Sequence, residues 1–392
     1  QARDQAGERY FIEVTGPLNN INVLEISGIG PAPFAGMYLS DLGAEVVRVG
    51  RVGTDKNPLA SKSGPLERGK RSINLNLKSE KGTEIALSLI EKSDVFLEGF
   101  RPGVAEKMGI GPKDCLSVNP KLVYARMTGW GQKGPLSQMA GHDINYIGLA
   151  GPLAHIGRKQ QTPTVPLNLV GDFGGGSMFL ISGILAALLS VKNGGVGQVV
   201  DAAMVDGAAY LASPLFAAHA SGFWSDHRGS NLLDSGAPFY EVYETKCGNY
   251  VAVGAIEPQF YQQLLNGLEV DQEDLPSQND REFWDSTKQK FIEIFLTKTR
   301  EEWLSIFANT DACVTPVLTM GESPLHIHAE QREAFFETCG VLQPKPAPRF
   351  SETPTVPSKT SENLGASTDL LLSGLGFANE EVATLRSAGI VS

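Results

Sequence analysis

The segment from Asn20 to Arg51 constrains the fold more than any other part of the chain. The run INVLEIS stays uncharged until Glu25 and reads as a buried strand. GIGPAPFAG follows as a tight turn, MYLSDLGA as a short helix, and EVVRV as a second strand. The alternation continues. RSINLNL reads as a strand, Lys81 to Lys92 as an amphipathic helix, SDVFLEGF as a strand ending in a Gly-rich turn, and LVYARMTGW as a strand entering a loop. Strands that alternate with helices pair in parallel, because each crossover returns the chain to the same sheet edge. The expectation is an α/β chain with a doubly wound, Rossmann-like large domain.

Beyond residue 170 the pattern changes. Gly174 to Val191 reads as helix, GQVVDAAM is mixed, and Val205 to Gly222 reads as one apolar helix. From residue 225 to 330 hairpin-like strands (PFYEVYETKCGNYVAVGAI) precede helices (QFYQQLLNGL, REFWDSTKQKFIEIFLTK, REEWLSIFAN), an α+β pattern. Residues 343–360 are rich in Pro, Ser and Thr and read as an extended linker before a last helix, Glu380 to Ala388. The expected division is a large domain over 16–200, a linker helix over 201–224, a small domain over 225–330, and a return linker with the C-terminal part of the large domain over 331–392. A chain of 392 residues exceeds what one core ordinarily serves.

The formal charge of −11 argues against a nucleic-acid or membrane-surface binder, which needs a broad basic face. The longest apolar stretch, Ser177 to Val191, is too short to span a bilayer and reads as a buried helix. Cys115, Cys247, Cys313 and Cys339 are widely spaced, which favours small semi-buried thiols over a disulfide scaffold or a zinc site. Gln1 to Val14 reads as a trimmed leader and is set aside. The last residues, Ala-Gly-Ile-Val-Ser, are no SKL-type peroxisomal address. The compartment then follows the source: peroxisomal or mitochondrial in a eukaryote, cytoplasmic in a bacterium.

Gly28-Ile29-Gly30 after the first strand suggests a dinucleotide turn, but Pro33 stands where the third glycine of GxGxxG belongs. The second strand ends in Arg48 and Arg51, where a ribose-binding enzyme carries a carboxylate. These arginines read either as phosphate contacts or as solvated strand-end charges. With Arg68, Lys70, Arg71 and Arg101 they suggest a ligand bearing more than one phosphate.

Three residues stand out as chemistry. His142 lies in a Gly-His-Asp loop after the strand LVYARMT. Asp172 is a lone carboxylate in an apolar run, followed by Gly174-Gly175-Gly176. An N-cap role explains the aspartate but not the glycines, which would let a thioester approach the backbone. Glu257 closes an apolar strand before a helix, where an ordinary helix-start carboxylate also fits.

Five stretches together resemble the α-methylacyl-CoA racemases, a branch of the family III CoA-transferase fold: GHDINY at 141–146, PLNLVGDFGGGSMF at 166–179, QVVDAAMVDGAAYL at 198–211, SGAPFYEVYET at 235–245 and VAVGAIEPQFY at 251–261. The resemblance runs from about Gly16 to the last helix. It implies an interlocked homodimer whose active site joins the large domain of one chain to the small domain of the other. It implies His142 and Asp172 as the catalytic pair and Glu257 as their support. It also implies CoA contacts at Arg51, Asn74, Leu75, Asn76, Leu77, Arg101, Gly141, Asp143, Ile144, Asn145 and Tyr146. Between Gly50 and Gly69 the chain departs from the family pattern, reading Gly50-Arg51-Val52 in place of Asp-Arg-Pro.

The implied reaction inverts C2 of a 2-methylacyl-CoA. It needs an acid/base on each face of a planar enolate, and it needs no metal or other cofactor, because the thioester acidifies its own α-proton. His suits one face. A desolvated carboxylate suits the other. Backbone N–H groups of the Gly-His-Asp loop are the expected donors to the enolate oxygen. Ile144, Tyr146, Leu149, Phe173, Met178 and Phe239 read equally as an acyl surface and as plain core. Three other readings compete. A CoA-transferase would use Asp172 as nucleophile. A catalytically dead CoA-ester-binding protein should have lost at least one of the three residues. A NAD-dependent dehydrogenase is disfavoured by Pro33 and the basic strand end.

Overall fold

The computed structural model describes residues 16–53, 65–338, 340–358 and 361–392. The leader and Cys339 lie outside the described residues, as does much of the 50–69 loop.

The first part of the chain runs β1 (Asn22–Ile26), α1 (Pro31–Asp41), β2 (Glu45–Gly50), β3 (Lys70–Asn74), α2 (Glu80–Glu91), β4 (Val95–Glu98), α3 (Val104–Lys107), α4 (Pro112–Val118) and β5 (Val123–Thr128). Then come α5 (Asp143–Ala150), a π-helical stretch at Leu169–Ser177, α6 (Met178–Lys192) and β6 (Gln198–Ala203). Six strands form one sheet in the order β3-β2-β1-β4-β5-β6, every neighbouring pair parallel. The strand order reverses between β1 and β4, which makes a crevice at their carboxyl ends. Both faces of the sheet are covered. Leu24, Ile26, Ile73, Phe96 and Tyr124 join one apolar cluster, and Val23, Val46, Val95, Leu97 and Val123 join another with α1 and α6. This is why the strands carry apolar residues on both sides rather than alternating.

Two local expectations change. The GIGPAPFAG turn is short: α1 already begins at Pro31. A first-turn proline lacks only an N–H that would have no helical partner anyway, and its φ suits a helix. The mixed segment GQVVDAAM contains β6, the sheet's edge strand. The apolar stretch first bounded at Ser177–Val191 extends through the π-helical residues to Leu169–Lys192. At 24 residues and mean hydropathy 1.8 it is long and apolar enough to cross a membrane by length and composition. Here Leu180, Ile181, Ile184 and Ala187 are buried in the core cluster against the sheet.

The next segment is α7 (Met204–Leu211) and α8 (Ser213–Ala220), not the single helix expected over 205–222. Pro214 sits in the first turn of α8, where its missing N–H cannot continue the ladder of α7, and the break falls at Ala212. Then follow β7 (Tyr240–Glu244), β8 (Tyr250–Gly254), α9 (Pro258–Leu268), α10 (Trp284–Phe295), α11 (Arg300–Ile306), β9 (Val314–Pro316) and α12 (Ile327–Gln331). The strands form an antiparallel sheet in the order β7-β8-β9. It packs with the helices around Phe239, Tyr243, Tyr261, Trp284, Phe291, Phe295 and Trp303. A hairpin of β10 (Phe335–Thr338) and β11 (Val341–Pro344), then α13 (Thr368–Gly374) and α14 (Asn379–Ser387), complete the chain.

The chain clusters into two units. One comprises residues 1–146, 168–208 and 333–392, and the other 147–167 and 209–332. The C-terminal segment belongs to the sheet unit: Leu372, Val382, Leu385 and Val391 enter its core, and Leu75 bridges Val391. Residues 147–167, placed by sequence in the large domain, cluster with the second unit, and 201–224 is divided between the two.

Candidate active site

Following strands β1, β4 and β5, the carboxyl-end loops line a cleft of about 410 Å³. Its wall includes Gly28 to Ala32, Gly99 to Pro102, Met127 to Trp130, Ala140 to His142, Tyr146 and Asp172. His142 and Asp172 therefore share the crevice at the topological switch point, where an open α/β sheet binds ligands.

Asp172 sits in the π-helical turn ahead of α6, half-buried. It is not an N-cap residue. Its Oδ2 accepts a hydrogen bond from Asn168 Nδ2 at 3.2 Å, and Gly30, with φ 75°, brings the first loop beside the same oxygen. Desolvation by burial raises the proton affinity of its carboxyl. Asn168 lowers it, the Asp143 charge raises it, and His142 lowers it. A carboxyl so placed can hold or release a proton nearer to neutrality than a solvated one.

His142 is exposed at the cleft wall, just before α5. Its N–H donates to Asn145 Oδ1 at 3.0 Å, and its carbonyl accepts from the N–H groups of Asn145 and Tyr146. The His142 N–H is therefore engaged and drops out as a donor to an enolate. Tyr146 is buried, its hydroxyl donates to the Gly141 carbonyl, and its ring meets Trp130 edge-on at 4.8 Å. Burial, followed by the Asp172 charge, pushes its phenol up to about 12, so it is a neutral donor near pH 7.

Asp143 is 4% exposed, and its Oδ2 accepts from the backbone N–H of Gly171 at 2.6 Å and of Asp172 at 2.7 Å. Its side chain is committed within the protein, so any contact it made to a ligand would come from its backbone. Gly141 and Tyr146 line the cleft, whereas Ile144 and Asn145 are exposed on the first turn of α5. Arg101 lines the cleft, and Arg51 is exposed just after β2.

The predicted CoA strand is largely internal. Leu75 is 1% exposed, so any contact it made to a ligand would come from its backbone. Asn74 is buried and donates to Ser392 Oγ at 3.1 Å. Asn76 and Leu77 lie beyond the end of β3, half-buried, and the Asn76 N–H donates to the Ile390 carbonyl.

The basic cluster read as a phosphate site is a set of internal ion pairs. Arg48 meets Glu67 at 2.7 Å, Arg68 meets Asp41 at 2.5 Å and Lys70 meets Glu25 at 2.7 Å, all six side chains buried. The half-exposed Arg71 meets Glu45 at 3.1 Å. Lys70 and Arg71 open β3 at its amino end, opposite to the ligand edge.

Gly175 and Gly176, two of the three glycines after Asp172, have a packing cause. A Cβ on Gly175 would lie 2.6 Å from the backbone nitrogen of Ala208 in α7, and one on Gly176 would lie 2.8 Å from the Met204 side chain. They let two chain segments meet rather than admit a ligand. Of the proposed acyl surface, Phe239 is fully buried core, and the Phe173 ring meets Phe34 at 4.8 Å, tilted by 40°. Ile144, Leu149 and Met178 are exposed. Cys115 is a buried free thiol, while Cys247 and Cys313 are exposed rather than semi-buried.

Glu257 belongs to the second unit, where it is the exposed N-cap residue of α9 and makes no side-chain cap bond. Sequence reasoning missed Asn168 and the clamp by Asp143. The spacing of Asn168 four residues before Asp172 was a readable signal, since one helical turn brings such side chains together.

The family model described as CoA-transferase family III matches residues 18–368. The chain is 48% identical over 377 residues to an α-methylacyl-CoA racemase of Mus musculus, covering 95% of this chain and 97% of the relative. It is 45% identical over 376 residues to an α-methylacyl-CoA racemase of Homo sapiens, again covering 95% and 97%. Among solved structures, a CaiB/BaiF family protein from Brucella suis superposes with a TM-score of 0.80 at 22% identity. The match covers 92% of this chain and all of that one, and it speaks to fold alone.

Proposed function

Because this chain belongs to CoA-transferase family III, we propose that it is an isomerase that interconverts the (2R)- and (2S)-2-methylacyl-CoA thioesters. The observation that carries this reading is the placement of His142 and Asp172 on one cleft, with the Asp172 carboxyl desolvated.

One base takes the C2 proton. The C–H electron pair becomes the C1–C2 double bond of an enolate, and the carbonyl oxygen takes the negative charge. The conjugate acid of the other residue then returns a proton to the opposite face. Each residue is base for one enantiomer and acid for the other, so both must change protonation state within reach of neutral pH. The engaged His142 N–H, and the Asn145 and Tyr146 N–H groups that donate to the His142 carbonyl, leave the backbone N–H groups of Asp143 and Ile144 at the start of α5 to face the enolate oxygen. First-turn groups have no helical acceptor, and the helix dipole favours negative charge there. Removing one such donor typically costs ~3 kcal/mol of transition-state stabilisation. The chemistry requires no cofactor.

Arg101, and Arg51 beyond β2, are suited to the phosphates of CoA. In the interlocked homodimer that the resemblance implies, the partner subunit's Glu257 orients the His142 imidazole, as carboxylates do for catalytic histidines.

The competing CoA-transferase reading uses Asp172 as a nucleophile and leaves His142 without a role. Incubation of one enantiomer in D₂O with no acceptor acid separates the two. Deuterium at C2 together with inversion is the expected outcome. CoA transfer to a free acid without C2 exchange would show a transferase instead.

A further inference from the structure

Asp143 lies next to His142 in sequence and beside Asp172 in space. It opens α5, and its side chain reaches the π-helical turn, where one oxygen takes the N–H groups of Gly171 and Asp172. The fit is tight: a Cβ on Gly171 would stand 2.7 Å from that oxygen. The other carboxylate oxygen is buried without a hydrogen-bond partner. Leaving a buried carboxylate oxygen unpartnered is costly, and a residue serving only to cap a turn gains nothing from it. His142 is fixed from the same helix end through Asn145. One short side chain therefore links the segments carrying the two residues.

We propose that Asp143 is a positioning residue that holds Asp172 in register with His142, so that the two bases face opposite sides of the same C2. The inference rests on the racemase reading. It assigns no proton transfer to the Asp143 carboxylate, whose hydrogen bonds go to backbone N–H groups.

The full-length protein is tested with a single enantiomer in D₂O, reading inversion and deuterium incorporation separately at early times. The unaltered protein should show both, and absence of both would defeat the racemase reading rather than this one. In Asp143→Ala, Asp172 shifts while His142 keeps its Asn145 anchor. Inversion should fall ~10²-fold, the scale of a 1 Å misplacement. Exchange with retention through His142 should fall less, so the ratio of exchange to inversion rises. A simple loss of folded protein would lower both together.

Asp143→Asn preserves shape and an acceptor oxygen, and it decides the matter if the alanine variant does not fold. The charged or titratable groups acting on Asp172 are Asp143 and His142; Tyr146 and Arg101 line the same cleft. Removing the Asp143 charge lets Asp172 ionise at lower pH, so the acid limb of kcat/KM for the enantiomer it deprotonates should move to lower pH. An unchanged exchange-to-inversion ratio in a folded alanine variant overturns the proposal. So does an unmoved acid limb in the asparagine variant.

Discussion

The sheet unit contains two charged regions built on opposite rules. Under β1 to β3, Glu25, Asp41 and Glu67 each meet a basic side chain within 2.7 Å, and the charges are consumed by one another. Gly36 in α1 makes room for this, since a Cβ there would overlap Glu25 Oε2. In the cleft, the carboxyl of Asp172 accepts a hydrogen bond from the neutral amide of Asn168. The comparison teaches that burial alone does not mark a functional charge. A desolvated carboxyl locked to a counter-ion away from the cleft builds the fold even where burial raises its proton affinity, whereas one left to a neutral partner on the cleft wall has that affinity where a ligand can use it.

The largest effect should come from the cleft. Asp172→Asn and His142→Ala should each reduce inversion by roughly 10²–10⁴-fold, the usual contribution of positioned proton transfer. The Kd for the CoA ester should stay close to that of the unaltered protein, because neither residue neutralises a phosphate. Chiral chromatography of the product and equilibrium binding check the two halves separately. Near-normal inversion in either variant would break the comparison, since the cleft charge would then be as structural as those under the sheet.

The paired region predicts the converse. Lys70→Met leaves Glu25 buried without its partner, and breaking a buried pair in this way typically costs roughly 3–5 kcal/mol. Urea denaturation should show that loss, while the folded fraction of the variant keeps its kcat. A variant as stable as the parent would mean that the ion pair contributes no more than apolar packing would.

This contrast also shows what the sequence could and could not reveal. The parallel sheet was legible because βαβ periodicity is local and repeated from Asn20 to Trp130. His142 and Asp172 were legible because their loops fall where such a sheet places ligands. The role of Arg48, Arg68 and Lys70 was not. A run of basic residues near strand ends looks the same whether it meets a phosphate or the carboxylates of β1, α1 and the turn at Pro65–Glu67, and only the tertiary packing of those elements decides which. The glycines after Asp172 misled for a similar reason. Close approach by α7 and close approach by a ligand leave the same trace in sequence. The resemblance implied Asp143 as a CoA contact along with the rest of its loop, while the alternation of faces in one helical turn turns its side chain inward.

The smallest expected effect is a change of slope. Burial raises the Glu25 carboxyl from 4.5 to about 7, with Lys70 opposing the rise. A carboxyl whose folded pKa exceeds its unfolded value contributes stability that is fully present below the unfolded pKa and is lost as pH rises through the folded one. For Glu25 that window runs from 4.5 to about 7. The slope it contributes cannot exceed ~1.4 kcal/mol per pH unit, the linkage limit for one proton. Asp41 and Glu98 are raised by burial as well, so the parent's total slope mixes several groups. Glu25→Gln removes one of them while keeping an acceptor for Lys70. Its absolute stability is not the readout, because the amide also discards the charge that Lys70 faces. The readout is the difference in urea midpoint between variant and parent across the window, which should move in the variant's favour as pH rises. Parallel curves would mean that Lys70 holds Glu25 ionised throughout, and the region under the sheet would then be a fully compensated ion pair with no titration left to set it beside Asp172.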